Sequence, residues 1–103
     1  MKVQWSDDAL RQRDGVAEYI REKFGYRYMM AFIGKVRNTT RLLAHSPNIG
    51  QIDPLFVDRA ETYRSVIING LSKLVYRIAD DTIFIVGFWD TRMEPSEQAA
   101  KVK

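Results

Sequence analysis

The chain has no cysteine and only one histidine, His45, in 103 residues. Disulfides and thiolate metal sites are therefore excluded, and one imidazole does not make a zinc site by itself. Proline is equally sparse, with three residues, and no Pro, Gly or Ser tract points to disorder ahead of the tail 96–103, which is expected to fray. No apolar run approaches membrane-spanning length, and the stretch Met1 to Asp8 lacks the apolar core of a signal peptide. A soluble cytoplasmic protein is expected, with no membrane partner and no metal or other cofactor. No internal repeat or heptad pattern is visible.

What remains is ordinary globular composition. The apolar fraction of 46% and charged fraction of 28% suit one two-layer core, and the length leaves no room for a second module, so residues 1–103 are read as a single domain. The formal charge of +3 permits a nucleic-acid or acidic partner without demanding one.

Met1 to Trp5 alternates like a short strand. Ser6 then offers an N-cap, followed by Asp7 and Asp8 at the positive end of a helix dipole. Ala9, Val16, Ile20 and Phe24 keep a helical period, with Arg13 completing the spacing, and Gly25 supplies the stop. A second helix is expected from about Tyr26 to about Ala44, with Met29, Phe32, Ile33, Val36, Thr40 and Leu43 on its apolar face. Arg27, Lys35, Arg37 and Arg41 lie on its exposed side, either as a solvated face or as a nucleic-acid-contacting stripe. His45 to Gly50 is a loop, and 51–62 a connection with one irregular turn.

The most legible region runs from Tyr63 to Pro95. Asn69-Gly70 is a strong two-residue hairpin signal, because a type I′ turn needs positive φ at both positions, and Asp80-Asp81 is a weaker one. Two two-residue turns would fix the register: Ile68 opposite Leu71, Val66 opposite Lys73, Arg64 opposite Val75 and Arg77 opposite Phe84. One face would then gather Tyr63, Ser65, Ile67, Leu74, Tyr76, Ile83, Ile85 and Trp89 under the helical hairpin. The other would gather Arg64, Val66, Lys73, Val75, Arg77, Phe84, Val86 and Phe88. Three cations among large apolar groups cannot be buried unpaired without cost, and full exposure would leave an apolar patch, so this second face is expected to meet a partner. The alternative is that the cations snorkel from a partly exposed sheet. The fold class is α+β: a strand and helical hairpin packed on a small antiparallel sheet.

The order of short strand, helical hairpin, Pro47-Asn48-Ile49-Gly50 loop and meander resembles the RelE/ParE superfamily of toxins from type II toxin–antitoxin systems, which includes plasmid stabilisation proteins. The motifs are Trp5-Ser6, Tyr63-Arg64, Leu74-Val75-Tyr76-Arg77-Ile78 and Trp89-Asp90-Thr91-Arg92-Met93-Glu94-Pro95, and they cover nearly the whole chain. The resemblance implies a growth-inhibiting toxin held in check by a cognate antitoxin.

Two target classes follow from it. RelE-like members are ribosome-dependent, metal-free mRNA endoribonucleases, whereas ParE-like members act on DNA gyrase without catalysing a reaction. Cleavage by a ribose 2′-hydroxyl needs a base, cations against the phosphorane and an acid. By resemblance Lys73 and Arg92 occupy positions of two family arginines, and Arg64 or Arg59 would clamp phosphate, with Glu61 as a base. No tyrosine or histidine follows Arg92, so the nuclease set is incomplete. An antitoxin segment is expected on Val66, Val75, Phe84, Val86 and Phe88, with Lys73, Arg77 and Arg92 attracting its acidic residues. An inactive member that only binds its antitoxin is the further alternative.

Overall fold

The computed structural model describes residues 1–102. Strand β1 (Lys2–Trp5) ends at Ser6, whose hydroxyl oxygen accepts the Ala9 amide at 3.0 Å and starts α1 (Asp7–Phe24). Asp7 and Asp8 occupy the first turn, where the exposed N–H groups favour negative charge. Gly25, at φ 103°, ends α1 through its amide on the Arg21 carbonyl, and α2 (Tyr26–His45) begins at the next residue. A side chain at this φ would be strained, so glycine makes so short a helical hairpin possible.

The sheet has the order β1-β5-β4-β3-β2, with β2 (Gln51–Ile52), β3 (Tyr63–Ile68), β4 (Ser72–Ala79) and β5 (Thr82–Asp90). Those four strands form an antiparallel run, and β1 adds a parallel edge against residues 82–85 of β5. The sheet is thus mixed. The supposed connection 51–62 contains the edge strand β2 and a 3₁₀ turn, Pro54–Phe56, opened by Asp53.

Two irregularities overturn the expected faces. The Asn69-Gly70 turn forms with φ 60° and 75°, and the Leu71 amide reaches the Ile68 carbonyl at 3.4 Å. Leu71 then stays out of the β3–β4 ladder, because its carbonyl accepts the Thr91 amide at 2.8 Å instead. Pairing resumes with Ile68 opposite Ser72, so Val66 faces Leu74 and Arg64 faces Tyr76. One extra residue inverts every side chain of β3 relative to β4. Beyond the Asp80-Asp81 turn the expected Arg77–Phe84 pair is present, but Tyr76 pairs with Ile85 and Val75 with Gly87, leaving Val86 as a bulge. That bulge exchanges Phe88 and Trp89 between faces.

Two cores result. Under the hairpin, Ala9, Phe32, Val36 and Leu43 pack on Ile68, Leu74, Tyr76, Ile83, Ile85 and Phe88. On the opposite face Phe56, Tyr63, Val75, Trp89 and Val102 make a smaller core. Each such side chain contributes about 1.5–3 kcal/mol when fully buried. Of the tail 96–103 expected to fray, Lys103 lies outside the described residues, while residues through 101 instead belong to α3 (Pro95–Lys101) and Val102 is buried behind it. Arg59 fastens it by donating to the carbonyls of Ala99, at 2.7 Å, and of Val102.

Candidate functional site

The cations expected to face a partner are committed within the chain. Lys73 is buried on the side of the smaller core, its Nζ 2.6 Å from Asp53 Oδ2 and 2.9 Å from Gln98 Oε1, and 5.8 Å from the centre of the Phe56 ring. Gln98 Oε1 also accepts the Trp89 Nε1 proton at 2.9 Å, and Gln98 Nε2 donates to the Met93 carbonyl at 2.7 Å. Asp53 Oδ1 accepts the Leu55 amide at 2.9 Å and so caps the 3₁₀ turn. This set ties two segments, the 3₁₀ turn and α3, to β4 and β5 of the sheet. The 2.6 Å ion contact and the Gln98 and Leu55 hydrogen bonds offset the desolvation of the pair, although Asp53 Oδ2 itself accepts no hydrogen bond among the described residues.

Arg92 is exposed, and it lies across Asp90 in a two-pronged pair with N–O distances of 3.0 and 2.7 Å. The Arg92 side chain and amide hold the Asp90 carboxyl down at about 2. Arg64 donates to the Gly50 carbonyl at 2.8 Å, alongside Tyr76, whose hydroxyl donates to the Pro47 carbonyl at 2.7 Å and accepts the Gly50 amide at 3.0 Å. Burial pushes the Tyr76 phenol up. Arg64 and Tyr76 therefore shape the loop before β2. Arg77 lies 3.7 Å from Glu61 and 4.6 Å over the Phe84 ring.

The expected binding face is thus not one surface. Val66 and Phe88 belong to the hairpin side, where Phe88 is fully buried, and Val75 is sealed in the smaller core. Arg77, Phe84 and Val86 stay partly accessible. Trp89 keeps the packing role expected of it but on the other face, where its indole folds over Gly87: a Cβ there would come within 2.0 Å of the ring. Asp53 and Gln98 were not singled out from the sequence. Asp53-Pro54 is a recognisable cap-and-proline start, whereas nothing about Gln98 distinguishes it from an exposed helical residue.

The accessible apolar surface lies elsewhere. A groove of about 670 Å³ opens between α1, the first turn of α2 and the ends of β4 and β5. Val16, Ile20 and Phe88 form part of its floor, and Tyr19, Phe24, Tyr28 and Leu71 stand around it with more than half of their surface in water. Asp90 and Arg92 rim it. β1 pairs only as far as Ile85, and past that point Gln12 Oε1 accepts the Phe88 amide at 2.8 Å beside the groove. Gly15 lines it from the middle of α1, where a methyl group would meet no atom within 4 Å. An interior helical glycine costs about 1 kcal/mol against alanine, and internal packing gives no reason for this one. Large exposed apolar side chains around a concave surface mark a protein-binding site.

The comparisons agree with this architecture. The family described as the ParE toxin of the type II toxin–antitoxin system, parDE, matches residues 3–95. The chain belongs to the ParE toxin family. A solved structure titled as the chromosomal ParDE toxin–antitoxin system from P. aeruginosa superposes with a TM-score of 0.70 at 14% identity, covering 87% of this chain and 95% of that one. The YoeB dimer from Staphylococcus aureus gives a TM-score of 0.57 at 19% identity, covering 84% and 92%. Both share the ParE-like fold. No curated protein matches the chain. This ParE-family chain is therefore a toxin of the type II class by membership, and its described residues form an α+β fold of three α-helices and a five-stranded mixed sheet. Among its described residues no helix is long and apolar enough to cross a membrane, and no cluster of acidic or histidine side chains could hold a metal.

Proposed function

We propose that this toxin acts by binding rather than by cutting RNA, that its target is DNA gyrase, and that a cognate antitoxin neutralises it by filling the groove beside α1. The observation that carries the first part is the commitment of the sheet cations. Metal-free cleavage of RNA needs cations free to meet the phosphorane and a matched acid and base. Lys73 is instead locked between Asp53 and Gln98, and Arg92 lies across Asp90 in a surface ion pair. A binding toxin needs only complementary shape and charge.

For the antitoxin, the groove offers what an amphipathic segment that orders on binding would use: aromatic anchors, a polar rim and a glycine that lets backbone approach closely. The accessible remnant of the outer sheet face, Arg77 stacked on Phe84 beside Val86, is left for the target.

Induction of the toxin alone in a bacterial host, followed by mapping of message ends and staining for DNA damage, tests the reading. Growth arrest with DNA damage and intact messages is expected. Messages cut within codons, with undamaged DNA, would overturn it in favour of a ribosome-dependent nuclease.

A further inference from the structure

The surplus charge of this protein is concentrated on one helix. Of sixteen Lys and Arg and thirteen Asp and Glu in the chain, α2 holds four cations and no carboxylate, so it carries +4 against −1 for everything else. Elsewhere acids and bases are interleaved: on α1, Arg11, Arg13 and Arg21 pair with Asp8, Asp14 and Glu18. Arg27, Lys35, Arg37 and Arg41 are all exposed, and among the described residues none of them makes a salt bridge. Lys35 donates to the Asn69 side chain, which leaves its charge uncompensated.

Three of these residues, Arg27, Arg37 and Arg41, share a face. Phe32, Val36 and Leu43 turn inward. At 3.6 residues per turn Arg27 and Arg41 project opposite them, with Arg37 to one side, while Lys35 lies well around the other side and reaches Asn69. Arg27 and Arg41 are separated by about 21 Å along the axis at 1.5 Å per residue. Between them the centre of the outward strip consists of Ala31, Gly34 and Asn38, with the exposed Met30 beside its N-terminal end.

Gly34 supplies a second observation. It lies in the interior of α2, and a Cβ built on it meets no atom within 4 Å. Alanine would be more stable there by about 1 kcal/mol, and nothing inside the protein requires glycine. Close approach of an external surface along the helix would account for it.

We propose that the outward face of α2 docks on the phosphate backbone of a DNA duplex. A row of uncompensated arginines flanking an approachable strip suits a phosphate backbone, which is regular and uniformly anionic. A protein partner would need a central apolar anchor, and the centre of the strip is Gly34, with Met30 off toward the Arg27 end. Arg27, Arg37 and Arg41 line neither the groove nor the outer sheet face, so the proposal does not depend on which of those meets antitoxin or target.

The test is fluorescence anisotropy of the full chain with a labelled mixed-sequence DNA duplex over a salt series starting at about 50 mM, where phosphate contacts are strong. Binding is expected to weaken steeply as salt rises, and Arg37→Gln with Arg41→Gln is expected to lower the slope by about 2. Arg11→Gln with Arg21→Gln removes the same charge from α1 and is expected to leave the slope and affinity within about twofold of wild type. All four side chains are exposed, and far-UV circular dichroism checks that both variants fold. Equal losses in the two variants would reduce the effect to net charge and overturn the proposal. So would absence of binding at low salt, or binding to polyglutamate as tight as to the duplex.

Discussion

Replacing Lys73 by methionine separates a structural cation from a catalytic one. Methionine keeps much of the apolar stem and removes the ammonium that lies 2.6 Å from Asp53 Oδ2 and 2.9 Å from Gln98 Oε1. With the side chains of Lys73 and Asp53 only 11% and 1% exposed, the carboxylate left behind would be buried and unpaired. Breaking a buried pair from one side costs about 3–5 kcal/mol, a large part of the roughly 5–15 kcal/mol that holds a domain of this size together. The melting temperature is expected to fall by more than about 10 °C. Urea unfolding followed by tryptophan fluorescence is the direct assay, since Trp89 donates to the same Gln98 oxygen. Adding Asp53→Asn removes the orphaned charge while keeping an oxygen for the Leu55 amide, and is expected to restore at least about 1 kcal/mol. A free catalytic cation would behave differently: its removal would change stability by no more than about 0.5 kcal/mol. That result, or a double variant no more stable than the single one, would refute the structural assignment.

Other perturbations follow the same physics. Gly15→Ala is expected to raise stability by about 1 kcal/mol in urea and to weaken the antitoxin complex in a titration, and equal or tighter binding would count against the groove. Tyr76→Phe removes the hydroxyl shared by the Gly50 amide and the Pro47 carbonyl, for an expected loss of about 1–3 kcal/mol by thermal melting. The Asp90 carboxyl is expected to titrate near 2 by NMR and to return to the ordinary carboxylate range in Arg92→Ala. Because that carboxyl is depressed in the folded chain, its stabilising effect is full above the ordinary range and is lost only as the pH falls through about 2.

The helical half of the fold was legible because its signals are local and redundant. Ser6, the two following aspartates and Gly25 mark the ends of α1, and the period of Phe32, Val36 and Leu43 marks the inner face of α2. The sheet was legible in its strands but not in its faces. Leu71 leaves the ladder by accepting the Thr91 amide, and Val86 bulges within a continuous apolar run with no alternation to mark it; neither is written in the local pattern. With period-two side chains, each extra residue moved a set of neighbours across the sheet. The cations were correctly marked as a problem for burial. Their solution lies at Asp53 and Gln98, 20 and 25 residues from Lys73 in sequence, and tertiary contact alone reveals it. The groove escaped notice because Tyr19 and Tyr28 lie off the apolar period and read as solvated helix surface.

The proposed toxin binds gyrase and leaves RNA intact. The most direct measurement is supercoiling of a relaxed plasmid by purified gyrase with added toxin, run beside programmed ribosomes and a labelled message under the same conditions. Inhibited supercoiling with an uncut message is the predicted result; a cut message with unaffected gyrase would contradict it.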